Sequence, residues 1–212
     1  MFLDRVDAGQ QLAAALLDLR SQTDPQVVLG IPRGGVIVAR EVARALAAPL
    51  DICLTHKIGA PHNAELAIGA VAEDGTTILD QFLIQTLHVP PSYIDTEKEY
   101  WQAELTRRGA VYRAGRVRVP IKDAVTIVID DGVATGATLI AALRATRAAG
   151  AKAVIAAVPV GPHDMIQRGL SAEADRVVCL VAPYDFSAVG AFYQCFEQVS
   201  DDEVIRAMGN DQ

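Results

Sequence analysis

Short runs of consecutive apolar residues alternate along the chain with longer stretches whose apolar positions recur every three or four residues. Asp7 is placed to cap a first helix reaching about Leu19, with Leu12, Leu16 and Leu19 on one face. Gln26 to Ile31 reads as a buried strand broken by Pro32-Arg33-Gly34-Gly35, and Val36 to Ala47 as an alanine-rich helix. A second strand is predicted over Leu50 to Thr55. The alternation returns with a strand at Val125 to Ile129, a helix at Thr138 to Ala149 and a strand at Ala153 to Val158. A helical turn at Asp164 to Leu170 and a strand at Arg176 to Val181 follow. Continuous apolar strands separated by helices predict an α/β fold, an open parallel sheet with helices on both faces.

The stretch from Lys57 to Pro120 departs from this pattern. Ile68 to Leu79 reads as a hairpin turning at Asp74-Gly75, and Asp95 to Arg113 as a charged amphipathic helix. An excursion of this length between core strands is expected to be a mobile lid or binding loop, residues 57–120, rather than a linker. Neither an internal repeat nor a low-complexity tract is visible, and one domain over residues 1–212 is expected.

Composition narrows the partners. The chain is 51% hydrophobic and 21% charged, with a net charge of -7, a poor match for sequence-independent binding to nucleic acid. Cys53, Cys179 and Cys195 are odd in number and far apart, which argues against a disulfide framework or zinc site and for a reducing cytoplasm. The start Met1-Phe2-Leu3-Asp4-Arg5 lacks a signal-like apolar stretch, and no run is long enough to cross a bilayer. The four histidines, His56, His62, His88 and His163, lack metal-ligand spacing. A homodimer is left open.

The chemistry concentrates in Ile127-Val128-Ile129-Asp130-Asp131-Gly132-Val133-Ala134-Thr135-Gly136-Ala137-Thr138. A buried strand delivers two carboxylates to its C-terminal edge, where open parallel sheets bind ligands. The small residues behind them allow backbone N–H groups close to a phosphate, and a helix N-terminus and the Thr135 and Thr138 hydroxyls add to the site. Two aspartates do not suit a phosphate; they suit a vicinal diol or a metal. A ribose 5-phosphate carries both features. A plain strand-turn-helix is the alternative, and the paired acids before Ala-Thr-Gly-Ala-Thr count against it.

This stretch resembles the 5-phosphoribosyl-1-pyrophosphate signature of type I phosphoribosyltransferases, with Thr126 in its first apolar place. Gly30-Ile31-Pro32-Arg33-Gly34-Gly35-Val36 resembles that family's pyrophosphate loop, where a cis peptide is common; Arg33-Gly34 is the candidate bond. Lys57, after the second strand, resembles a basic residue that reaches pyrophosphate in many relatives, with a solvated strand-end lysine as the alternative. Asn63 to Gly75 and Ala182 to Tyr193 are similar to a subgroup of bacterial phosphoribosyltransferase-domain proteins, in which the place of His56 is often arginine. Within the first, Glu65, Glu73 and Asp74 suit surface and turn roles as well as ligand contact. The second implies a small C-terminal hood, residues 183–197, in which Tyr184, Phe186 and Tyr193 could stack on an acceptor ring. Packing of the hood onto the core is the alternative, preferred for Phe192 and Phe196.

The resemblance implies displacement at ribose C1. Magnesium would neutralise the departing pyrophosphate, Asp130 and Asp131 would hold the diol directly or through metal-bound water, and Gly132, Val133, Ala134, Thr135, Gly136, Ala137 and Thr138 would bind the 5-phosphate. Arg33, Gly34 and Lys57 would hold pyrophosphate, and a small-molecule acceptor, a nitrogenous base, would receive the sugar. The rival expectation is a regulator that senses the same donor without turnover.

Overall fold

Parallel strands buried on both faces form the centre of the computed structural model, which describes residues 1–21 and 23–209. Their order is β2 (Leu50–Ile52), β1 (Gln26–Gly30), β6 (Val125–Ile129), β7 (Ala153–Val160) and β8 (Arg176–Val181). All neighbours run parallel, and Gly30 pairs with both Ile52 and Ile129, so β1, β2 and β6 end level. Alternation along these strands sorts the core into two halves. Val28, Ile127, Ile129, Ile155 and Ala157 face Leu12 of α1 (Arg5–Ala15), Leu16 just after it, and Val38 and Val42 of α2 (Gly34–Leu46). Val27, Leu29, Val128, Val154 and Val158 face Leu139 and Leu143 of α5 (Ala137–Ala148). The predicted α/β architecture is the one observed.

The first helix starts earlier than expected. Asp4 caps α1 by accepting the Asp7 amide at 2.9 Å, whereas the Asp7 carboxylate turns back to the Leu3 amide. Residues Leu17–Ser21 then form a 3₁₀ turn, which carries Leu19 into the core.

The insertion is larger and better packed than a mobile loop. The strand expected to run through Thr55 breaks after Ile52, and Thr55 opens β3 (Thr55–Ala60). With β4 (Asn63–Ala72) and β5 (Thr77–Leu79) it makes an antiparallel sheet, and Asp74 closes the last turn by accepting the Thr76 amide. Helices α3 (Gln81–Thr86) and α4 (Pro91–Arg113) follow, and α6 (Asp201–Met208) packs alongside. Ile58, Ile68, Val71, Leu105, Tyr112, Val204 and Met208 share a third core. Under it, the buried Arg113 donates to Asp51 at 2.8 Å and to both Glu73 oxygens at 2.6 and 2.9 Å. Glu73 therefore belongs to a largely buried ion-pair network with Arg113 and Asp51. The Glu65 side chain lies outside the described residues.

Candidate functional site at the edge of the parallel sheet

Strand β6 delivers Asp130 and Asp131 to its C-terminal end, as the strand-acid pattern anticipates. The Asp131 amide donates to the Asp130 carboxylate at 2.9 Å. Burial, and then the charge of Asp131, hold the Asp130 carboxyl well above the usual carboxylate range. Asp131 points elsewhere: its Oδ2 accepts from Arg5 Nε at 2.7 Å. Arg5 is itself fixed, donating through Nη1 to the Glu197 carbonyl at 2.8 Å and lying 3.9 Å over the Phe196 ring.

The glycine loop closes on these acids. A Cβ at Gly34 would stand 1.9 Å from Asp131 Oδ2, and one at Gly35 would stand 2.7 Å from the Ile129 carbonyl oxygen. Close approach, rather than an unusual φ, thus requires both glycines. The cis peptide lies between Pro32 and Arg33, one bond before the expected position. Helix α2 starts at Gly34 without a side-chain cap, so its first amides open onto the same edge.

Loop 132–138 lies beside the acids. Val133 is buried, whereas Ala134, Thr135, Ala137 and Thr138 are exposed. Gly136 adopts a left-handed φ of 77° as it enters α5, and no side chain caps that helix. A Cβ there would meet the Met165 sulfur at 2.5 Å, so a larger residue is opposed by both conformation and space. The result is an uncapped helix N-terminus fronted by small residues, a geometry suited to an anion.

Arg33 lines a cleft of about 570 Å³ with His56, Arg107, Arg108, Thr138 and Asp201. Lys57 is not in it. Successive residues of a strand face opposite ways, so Lys57 turns to a cleft of about 210 Å³ with Ala137, Ile140 and Arg144. Arg33 and Lys57 thus line different clefts, and Arg33 shares its own with Arg107 and Arg108 of α4. His56 stacks on Trp101 at 3.3 Å, and burial lowers its pKa.

The hood separates its aromatics. Tyr184 is exposed and stacks on His163 at 4.1 Å. Phe186 lies against Phe192 at 5.6 Å, partly buried. Tyr193, expected to face an acceptor, is buried between Phe2 and Phe196 and donates its hydroxyl to the Asp131 carbonyl at 2.5 Å. Burial pushes its phenol far above the usual range, and its hydroxyl ties the hood to the backbone of Asp131. Sequence reasoning missed Arg5 and the Arg107-Arg108 pair. Arg5 meets Asp131 across 126 positions, with no local signal, and the arginine pair reads only as charge on a helix.

A family model described as phosphoribosyl transferase domain matches residues 3–190. Two Mycobacterium tuberculosis proteins, from strains CDC 1551 and H37Rv and each provisionally named a phosphoribosyl transferase, are 46% identical over 205 residues. These matches cover 97% of this chain and 46% of each relative, so the chain spans about half their length. The crystal structure of TT1426 from Thermus thermophilus superposes with a TM-score of 0.88 at 42% identity, covering 98% of this chain and 97% of that one.

Proposed function

This chain belongs to the phosphoribosyl transferase domain family, and on that premise we propose that it binds 5-phosphoribosyl-1-pyrophosphate and transfers the phosphoribosyl group to a nitrogenous small-molecule acceptor. One observation carries the reading. Two acids, an uncapped small-residue helix N-terminus and a second uncapped helix N-terminus behind Arg33 meet at one sheet edge. The ribose diol goes to Asp130 and Asp131, the 5-phosphate to loop 132–138, and the pyrophosphate to the start of α2 with Arg33, Arg107 and Arg108. A nitrogen of the acceptor forms its bond to C1 as the C1–O bond breaks, and the electron pair of that bond leaves with pyrophosphate. The carboxylate of Asp131 favours the positive charge developing on the ribose.

Among the described residues, no group of three or more His, Cys, Asp and Glu side chains could hold a metal by itself. Asp130 and Asp131 at the sheet edge would help hold magnesium alongside the donor, and the metal would supply positive charge to the leaving group. We place the activity in nucleotide metabolism and in a reducing cytoplasm, supported by three unpaired cysteines. Among the described residues, no helix is long and apolar enough to cross a membrane.

The test is incubation with donor and magnesium against a panel of bases and amines, scoring pyrophosphate release. Release that depends on one class of acceptor supports a transferase. Donor binding without release under any acceptor makes the chain a sensor, and absence of donor binding removes the proposal.

A further inference from the structure

Arg5 stands where three parts of the site meet. Its Nε donates to Asp131 Oδ2 at 2.7 Å, and its Nη1 to the Glu197 carbonyl at 2.8 Å in the hood. Its guanidinium lies 3.9 Å over Phe196, and a Cβ on Gly34 would come within 2.7 Å of its Nε. Only 12% of the side chain is exposed, so this is a held group and not a mobile surface charge. The segment that carries it is equally fixed. The Phe2 amide donates to the Phe192 carbonyl at 2.8 Å, and the Gln194 and Cys195 amides return to Phe2 and Leu3 at 2.8 and 2.9 Å.

An aspartate at a strand end can rotate about χ1 and χ2. One bond from a planar, immobilised guanidinium removes that freedom and commits one of its two oxygens. The Tyr193 hydroxyl on the Asp131 carbonyl holds the backbone of the same residue.

We propose that Arg5 is a positioning residue for the phosphoribosyl donor: by engaging Oδ2 of Asp131 it aims Oδ1 at the ribose diol. This rests on the function proposed above. It separates two halves of the donor. Ribose 5-phosphate carries the diol and should feel the loss of Arg5. Inorganic pyrophosphate, held by the start of α2 and by Arg33, should not.

Calorimetry with magnesium and each of ribose 5-phosphate, pyrophosphate and 5-phosphoribosyl-1-pyrophosphate tests this on the whole chain. Arg5→Met keeps an unbranched apolar side chain of similar reach and removes the guanidinium with its donors. It should weaken ribose 5-phosphate and the full donor by about tenfold or more, the scale of a charge-assisted hydrogen bond, and leave pyrophosphate within about twofold. Arg5→Lys, which keeps the charge and one donor, should recover part of the loss. Equal weakening of all three ligands, as general damage to the fold produces, would overturn the proposal, as would unchanged ribose 5-phosphate binding. Should Arg5→Met fail to fold, Arg5→Lys decides: it must weaken ribose 5-phosphate and spare pyrophosphate. Wild-type protein that binds none of the three sinks the proposed function and Arg5's role with it. Wild-type binding with no effect of either variant sinks the role of Arg5 alone.

Discussion

The two acids at the end of β6 sit in different environments, and this has a measurable consequence. Asp130 is raised in the folded state by burial and by its neighbour's charge. A raised carboxyl binds its proton more tightly folded than unfolded, so its stabilising effect is complete below the usual carboxylate range and is lost as pH rises through its folded pKa. Asp130→Asn removes that titration and keeps an oxygen for the Asp131 amide. It should raise Tm at neutral pH, by about 2–4 °C for each kcal/mol relieved, with the advantage shrinking as the solution is acidified, and it should weaken the donor. Thermal scans at several pH values check this; a variant less stable than wild type at neutral pH shows that the charged form of Asp130 is not penalised. At the neighbouring cleft, the Arg107→Ala/Arg108→Ala double variant should weaken pyrophosphate by about tenfold or more, with Lys57→Ala near wild type. The reverse ranking would restore Lys57 to the leaving group. Asp130, Asp131 and the small-residue loop were readable because their chemistry is packed into twelve consecutive positions. Arg5 was not, because its partner is 126 residues away.

Among the elements, the insertion depends on one buried cation. Removing Arg113 leaves Asp51 and Glu73 buried without their partner, so Arg113→Ala should cost about 3–5 kcal/mol in chemical denaturation. A loss below about 1 kcal/mol would mean that water or a shift of α4 replaces the guanidinium. The same packing limits what can close over a ligand. Amides of β4 and α4 should resist hydrogen exchange before donor is added, and slowing on donor with magnesium should be confined to the hairpin tip near residues 60–63, where His62 is exposed. Broad slowing over α4 would instead mean that the helix orders on binding. The core strands and the hairpin turn at Asp74-Gly75 followed from period and turn chemistry. The packing of the insertion did not, because the core that contains Ile58 and Ile68 is completed by residues of α4 and α6, distant in sequence. Helix α6 did carry a local signal: Ser200 and Glu203 form a reciprocal capping box.

For the molecule as a whole, the proposed function carries an expectation about the acceptor. The resemblance implies that hypoxanthine and guanine transferases carry, four residues after the first acid of the signature, an aspartate placed to handle a purine proton; counting from Asp130, that place here is Ala134, exposed on loop 132–138. A methyl group relays no proton, and general acid-base help is worth about 10²–10⁴ in rate. Steady-state kinetics should therefore find hypoxanthine and guanine poor acceptors, and turnover on the order of 1–10³ per second with either would show that another group supplies the proton function. On the proposed function, the hood offers Tyr184 and Phe186 to an acceptor, whereas Tyr193 is withdrawn to brace the backbone of Asp131. That the paired acids hold the donor is tested most directly by calorimetric titration of 5-phosphoribosyl-1-pyrophosphate into wild type and Asp131→Asn, with and without magnesium. Wild type with magnesium should bind, and withdrawal of the metal or of the Asp131 charge should each weaken binding by about tenfold or more. Binding that is absent throughout, or unchanged by both perturbations, would contradict it.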